Sequence, residues 1–288
     1  MAMKNLWIEI GKRRWLKKIL WTHLPSIAEL QLQEIDLKLY VDLKDFRGPS
    51  FYMMYGGPGA FERYENPEKT LIVSQLPENG VFIDIGANIG LFSFFVHKMR
   101  AQAQIYAFEP HPVLFECLSK TLTENRLEKQ MKCMPLGLSH TPQKVQLYLD
   151  ETDSGGHSLD AQSFSRNVSA PKSVWVDVTT LDTFVDREKL NRIDVIKIDV
   201  QGLENEVLKG SKALIQKYKP DFLIECDNLR LKNDATYLLE HLESPTSYRW
   251  KPLEDQGTFR SLQGLKGFAD LEIAAGKPQS NYFFSARL

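Results

Sequence analysis

Cysteine is scarce in this chain. Cys117, Cys133 and Cys226 are odd in number and widely spaced, so neither a disulfide framework nor a CxxC metal site can be assembled from them, and a reducing, cytoplasmic compartment is expected. Long apolar runs are also missing. The longest, near Leu91–Val96, falls far short of the roughly 20 residues that cross a bilayer. Net charge is close to absent, with 36 Lys and Arg against 37 Asp and Glu, which argues against a partner held mainly through phosphate, so no nucleic acid is expected. His23, His97, His111, His140, His157 and His241 form no HExxH-like spacing, and no metal is implied. With only 17 Gly and 14 Pro, collagen-like and low-complexity classes drop out as well.

What is present is a chain of 288 residues, 43% hydrophobic and 11% aromatic, enough for one large domain or two small ones around a sizeable core. Residues 1–22 carry six basic side chains against Glu9 alone, a surplus of five that leaves the remainder at −6. They lack the continuous apolar stretch and cleavage site of a secretory signal. Trp15, Leu16, Ile19 and Leu20 share a helical face with Arg13, Arg14, Lys17 and Lys18 opposite. Two readings stand: an accessory helix docked on the main domain, or a basic helix over residues 12–21 in weak contact with an anionic membrane surface.

From Ile35 to Tyr55 the sequence alternates loosely through Leu37, Leu39, Val41 and Leu43 and then meets Gly56-Gly57-Pro58-Gly59, which suggests a hairpin-like lead-in. Residues 1–50 are taken as an N-terminal cap and 51–288 as the main domain. After the cap, short β-branched or aromatic runs alternate with helical patterns: Val81–Ile85 and a helix from Gly90, Gln104–Phe108 and a helix from Pro112. This is the sequence form of βαβ units, and it predicts an α/β fold with a parallel sheet. Further strands are predicted at Met131–Leu136, Lys144–Leu149, Val174–Val178, Val195–Asp199, Phe222–Cys226, Tyr248–Pro252 and Tyr282–Ser285, and helices at Leu181–Asp186, Leu203–Tyr218 and Asp234–Leu242. The polar stretch Glu151–Pro171 reads as a long loop of functional length.

The strongest local signal is Val81-Phe82-Ile83-Asp84-Ile85-Gly86-Ala87-Asn88-Ile89-Gly90, a strand running into a glycine turn and then an apolar helix. Such a turn brings backbone N–H groups and a helix dipole to a ligand. A dinucleotide site would want G-x-G-x-x-G, with the second glycine giving the pyrophosphate room. Asn88 fills that position, so a smaller, carboxylate-bearing ligand fits better. The second strand, Ile105-Tyr106-Ala107-Phe108-Glu109-Pro110, ends in an acid about 20 to 25 residues downstream, where a ribose-binding carboxylate belongs. With Asp84 at the end of the first strand, the pair suits a ligand that carries both a ribose and a cation, as S-adenosylmethionine does.

These segments resemble the FkbM-type methyltransferases, within the seven-stranded, Rossmann-like class I of S-adenosylmethionine-dependent enzymes. The similarity runs from about Phe51 onward through Phe82–Gly90, Ala107-Phe108-Glu109-Pro110, Leu136-Gly137-Leu138-Ser139, Thr180-Leu181-Asp182 and Ile193–Glu204. It implies S-adenosyl-L-methionine as cofactor, bound around Asp84, Gly86, Ala87, Asn88, Gly90, Glu109, Pro110 and Ser139. The acceptor it implies is a hydroxyl of a sugar, glycan or polyketide-like small molecule. Gln201 stands where the family more usually has Glu, and His140 follows Ser139 where an acid is common.

Lys197, inside the run Val195–Ile198, should be buried, and a buried ammonium needs an acid partner. Asp199, Glu204 and Glu225 are the candidates. Of these, Asp199 is expected to face substrate, because ligands of open α/β sheets lie beyond the carboxyl ends of the strands. Asp199, His157 and Glu225 are therefore the candidate catalytic residues, His157 as an alternative base in the long loop. A silent S-adenosylmethionine-binding module and a nucleotide-dependent oxidoreductase are the rival readings.

Overall fold

In the computed structural model, residues 26–150, 153–159, 172–227, 242, 248–253, 260–261, 265–277 and 279–286 are described. The basic segment 12–21, most of the predicted helix Asp234–Leu242 and part of the loop 151–171 lie outside them. Among the described residues no helix is long and apolar enough to cross a membrane.

Strands β1 (Ile27–Leu32) and β2 (Leu37–Asp42) form an antiparallel hairpin. In β2 the expected alternation is realised: Leu37, Leu39 and Val41 are buried, while Lys38, Tyr40 and Asp42 between them are half-buried. Reversal comes earlier than the sequence suggested, at the 3-10 turn Gln33–Ile35, where Asp36 adopts a left-handed φ of 49°. The glycine run 56–59 joins two helices instead, α1 (Pro49–Tyr55) and α2 (Ala60–Arg63), before α3 (Asn66–Gln75). Pro49 in the first turn, with its φ already helical, favours that outcome over a strand. The outer edge of β2 is not left open. Tyr40 N donates to Thr121 Oγ1 at 2.9 Å and Lys38 N to Asn125 Oδ1 at 3.0 Å.

The main sheet is built from β3 (Val81–Ile85), β4 (Gln104–Phe108) and β5 (Met131–Met134), then β9 (Val195–Ile198), β10 (Asp221–Asp227), β11 (Arg249–Pro252), the two-residue β12 (Arg260–Ser261) and β13 (Gln279–Ser285). Among the described residues its order is β12-β11-β13-β10-β9-β3-β4-β5, seven strands of four or more residues plus a short edge. β5, β4, β3, β9 and β10 are mutually parallel, and β13 runs antiparallel between β10 and β11. The intervening β6 (Gly137–Leu138), β7 (Gln143–Tyr148) and β8 (Ser173–Thr179) leave the main sheet and form one of their own. Every residue of β3 and β9 is buried, as expected of central parallel strands covered on both faces. Period-two alternation divides them: Ile83, Ile85, Ile196 and Ile198 enter one apolar core, Phe82 and Val195 the other.

Helices α4 (Leu91–Met99) and α5 (Pro112–Glu124) start where the sequence placed them, and α6 (Leu181–Glu188) follows Thr180, whose side chain accepts from Thr183 N. The single helix expected over Leu203–Tyr218 is two, α7 (Glu204–Lys209) and α8 (Lys212–Tyr218). Packing breaks it. A Cβ on Gly210 would lie 2.2 Å from Ser139 O, so the chain turns there, and Asp182 caps the new helix by accepting from Ala213 N and Leu214 N at 3.0 and 2.9 Å.

The chain runs outward from β3 through β4 to β5 and returns on the other side of β3 as β9. That reversal leaves a crevice beyond the carboxyl ends of β3 and β9, the usual ligand position in an open α/β sheet.

Candidate active site

Beyond β3 the chain turns through Gly86, with φ of 75°, and Gly90, with φ of 87°. Both glycines are demanded by neighbouring chain. A Cβ at Gly86 would sit 1.9 Å from Asp199 O, and one at Gly90 2.5 Å from Leu118 Cδ1. Between them Asn88 holds a left-handed φ of 54°, tolerated because its Oδ1 accepts from Ile89 N at 2.8 Å and its Nδ2 donates to Ser154 O at 3.0 Å. Asn88 N then points at Glu109, donating to Oε2 at 2.8 Å, while His111 N donates to Oε1 at the same distance. Burial pushes the Glu109 carboxyl up to about 7 in spite of these two donors.

The crevice is a cavity of about 410 Å³. Gly86, Ala87, Asn88, Glu109 and Pro110 line one part of it, with Phe108 and Leu136 as apolar wall. Lys197, Asp199, Gln201 and Glu225 line another, together with Tyr64 and Glu65 from the turn between α2 and α3. Lys197 Nζ lies 3.1 Å from Asp199 Oδ2, 3.9 Å from Asp84 Oδ1 and 4.7 Å from the centre of the Phe92 ring. Gln201 Nε2 donates to Asp199 Oδ1 at 3.0 Å and to Glu225 Oε2 at 2.7 Å.

Burial alone would lower the Lys197 pKa, but Asp199, Asp84 and Glu65 outweigh it and hold the ammonium charged. Burial likewise opposes ionisation of Asp199, and Lys197 reverses the sign, keeping its carboxyl below the usual range. Glu225 moves the other way, raised first by the Asp199 charge and then by burial. The two carboxyls are thus driven apart, Asp199 toward the ionised form and Glu225 toward the protonated one. Glu65, at a left-handed φ of 43°, is pushed up to about 7 by burial. An aligned acid pair and a poised carboxyl face the same space, an arrangement able to take a proton from a bound hydroxyl.

Of the residues singled out from sequence, Gly86, Ala87, Asn88, Glu109, Pro110, His157, Asp199 and Glu225 meet at this cavity. Asp84, Gly90 and Ser139 are not among its lining residues. Asp84 is fully buried, accepts from Ser93 Oγ at 2.7 Å and sits beside Lys197 in register. The strand continues to Ile85 before the turn, so Asp84 points into the sheet face beneath α4. Gly90 caps α4, and Ser139 is tied to β8 by its N–H, which donates to Thr179 O. Glu204, a candidate partner for Lys197, accepts from Gly202 N instead. His157 lines the cavity, but its Nδ1 accepts from Asp150 N at 3.1 Å and its ring stacks on His111 with centres 4.5 Å apart. Burial pulls it down to about 4, so the neutral ring presents Nε2–H. Tyr64 and Glu65 carried no signal in the sequence, since they lie in the short turn between α2 and α3, and Ser154 was marked only as part of the long loop 151–171.

Sheet order, the antiparallel final strand and a crevice with an acid at the end of the second strand define a Rossmann-like class I methyltransferase fold. Within that class the chain belongs to the FkbM methyltransferase family, since the model of the methyltransferase FkbM domain matches residues 84–247. The family's methyl donor is S-adenosylmethionine. Methyltransferase sdnD of Sordaria araneosa is 32% identical over 48% of this chain and 62% of its own length. Hexuronic acid methyltransferase AglP of Haloferax volcanii is 30% identical over 51% of the chain and 56% of its own. The 2-O-methyltransferase NoeI of Sinorhizobium fredii is 26% identical over 51% and 63%. The chain thus spans about three fifths of the length of these relatives.

Proposed function

We propose that this chain is an S-adenosylmethionine-dependent O-methyltransferase acting on a hydroxyl of a sugar, glycan or polyketide-like small molecule, with residues 51–288 as its methyltransferase domain. The observation that carries this reading is that one cavity is lined both by Glu109, beyond β4, and by Asp199 and Glu225, from the ends of β9 and β10. The donor set suits the cofactor. Glu109 keeps lone pairs beyond its two N–H contacts and can accept the ribose hydroxyls as a bidentate, charge-assisted partner. Asn88, Ala87 and Gly86 supply the backbone beside it. An acid-rich wall, in which Lys197 is the one lysine among the described lining residues, favours a ligand bearing sulfonium and ammonium charges. The names of two relatives, a hexuronic acid methyltransferase and a 2-O-methyltransferase, support a hydroxyl-bearing acceptor.

When bound, the cofactor supplies an electrophilic methyl group. The protein must place an acceptor oxygen in line with it, which proximity alone makes worth several kcal/mol, and must receive the hydroxyl proton. Asp199 is ionised, held in one orientation by Lys197 and Gln201, and stands beyond the strand end. Its part is to accept that proton, with Glu225 stabilising the charge as a neutral donor. Glu65 and Tyr64 face the same space from the opposite side of the chain and form the acceptor wall. His157 presents N–H and closes the rim, because its acceptor nitrogen is already occupied. Transfer of an isotope-labelled methyl group from S-adenosylmethionine into small molecules of a cell extract tests the reading. Label in an alkali-stable ether product supports it. Binding of S-adenosylhomocysteine with no transfer would leave the silent binding module as the better account.

A further inference from the structure

A buried polar hub outside the catalytic wall is Asp45, in the cap. Its side chain is 2% exposed and accepts from several donors. Oδ1 accepts from Gly48 N at 2.7 Å and from Arg47 N and Ser154 N at 3.3 Å each. Oδ2 accepts from Ser154 Oγ at 2.9 Å, Ser50 N at 3.0 Å and Phe51 N at 3.4 Å. The contacts to Ser50 and Phe51 cap α1, but those to Ser154 reach 109 residues along the chain. Gly48 shows how close the two segments run, since a Cβ there would lie 2.5 Å from Ser154 Oγ.

Ser154 passes the constraint on. Its carbonyl accepts Asn88 Nδ2, and Asn88 is a non-glycine residue in left-handed backbone whose own N–H meets Glu109. Such a conformation persists where surrounding contacts over-determine it. The path Asp45–Ser154–Asn88–Glu109 therefore joins the cap, the 153–157 turn and the strand-end turn in three hydrogen-bonded steps. Asp45 itself does not line the cavity, whereas Pro49, Ser154 and Asn88 do.

We propose that Asp45 is a positioning residue of the cofactor site, which acts through Ser154 to hold Asn88 and Glu109 in binding geometry, so that the cap is a working part of that site. This rests on the reading of the cavity as a cofactor site, and the probe is S-adenosylhomocysteine. By pre-organisation, a ligand binds more tightly when its partners need no ordering. In Asp45→Asn the amide turns donor against donor, and affinity in calorimetric titration should fall about tenfold. In Ser154→Ala, which retains the backbone contacts, it should fall about threefold. In an Asn88→Ala background Asp45→Asn should add little, because the path is already cut.

Thr121→Val is the control for stability alone: it removes the acceptor for Tyr40 N, a cap contact remote from the cavity, and should lower the melting temperature without altering affinity. Where Asp45→Asn does not fold, Ser154→Ala decides the matter. Wild-type affinity in a folded Asp45→Asn or Ser154→Ala chain would overturn the proposal. So would full multiplication of the Asp45 and Asn88 effects, or an equal loss in Thr121→Val. Failure of the wild-type chain to bind S-adenosylhomocysteine would overturn the proposed function, and this inference with it.

Discussion

Glu109→Gln tests the cofactor reading most directly. Glu109 is 6% exposed and receives two backbone N–H groups at 2.8 Å. Glutamine fits the space but offers one oxygen for two donors and carries no charge. Replacing charge-assisted contacts to the ribose by neutral ones should cost about 1.5 to 3 kcal/mol, roughly tenfold to a hundredfold in affinity. The N–H left facing the amide adds about 1 to 3 kcal/mol to the folding cost, so the melting temperature should fall too; Glu109→Ala strands both N–H groups and should be worse.

The ionisation of Glu109 sharpens the test. Its folded pKa of about 7 lies above its ordinary value of 4.5, so the native state binds a proton that the unfolded chain has released. Stability from this group is complete below pH 4.5 and is lost as pH rises through 7, by about 3 kcal/mol at about 1.4 kcal/mol per unit. Cofactor binding to the carboxylate should therefore strengthen from pH 6 to pH 8 and be flat in Glu109→Gln. Glu65, which also titrates at about 7 and lines the same cavity, is removed from the comparison by working in Glu65→Gln. Calorimetric titration with S-adenosylhomocysteine at both pH values reads the result. Wild-type affinity for Glu109→Gln at pH 8, with the fold intact, would refute the assignment.

Asp199→Asn should lower turnover about 10²- to 10⁴-fold at saturating cofactor while S-adenosylhomocysteine affinity holds; near wild-type turnover would exclude Asp199 as proton acceptor. His157→Ala should lower turnover less than tenfold, since its Nδ1 is engaged, and a loss equal to that of Asp199→Asn would restore it as the base. Deleting residues 281–288 removes the β13 pairings with β11, all but two of those with β10, and the buried Tyr282, Phe283 and Phe284. One Phe→Ala alone costs about 3 to 5 kcal/mol, so the truncated chain should be insoluble, and a soluble one with unchanged melting temperature would count against the strand's central place. Burial holds His111 and His157 neutral, down to about 3 and about 4. Unfolding frees them to take up protons below pH 6.5, so their contribution is whole above that value and lost progressively below it; replacing His111 by Gln should flatten the melting-temperature slope between pH 6.5 and 4, and an unchanged slope would show that it titrates normally.

Much of the fold was legible along the chain because its information is local. Val81–Ile85 and Val195–Ile198 are apolar runs interrupted only by Asp84 and Lys197, a pattern that suits a doubly covered strand, and Gly90 and Pro112 mark the helix starts that follow. The Glu109 motif needed only its place at a strand end. Where sequence reasoning failed, long-range contact decided. Gly210 reads as a residue within a helix until Ser139 O is placed against it, and Asp84 reads as a strand-end acid until β9 sets Lys197 beside it. No periodicity could bring Asp45 to Ser154 or swing Tyr64 and Glu65 over the Asp199–Glu225 pair, because those meetings join segments with no regular pattern of their own. The sequence by itself determined the central strands β3, β4 and β9, the starts of α4 and α5 and the acid at the end of β4, through burial period and turn chemistry. Tertiary structure alone decided which acids are driven apart in ionisation and which loop holds the turn, since both depend on desolvation and on distances between residues far apart in the chain.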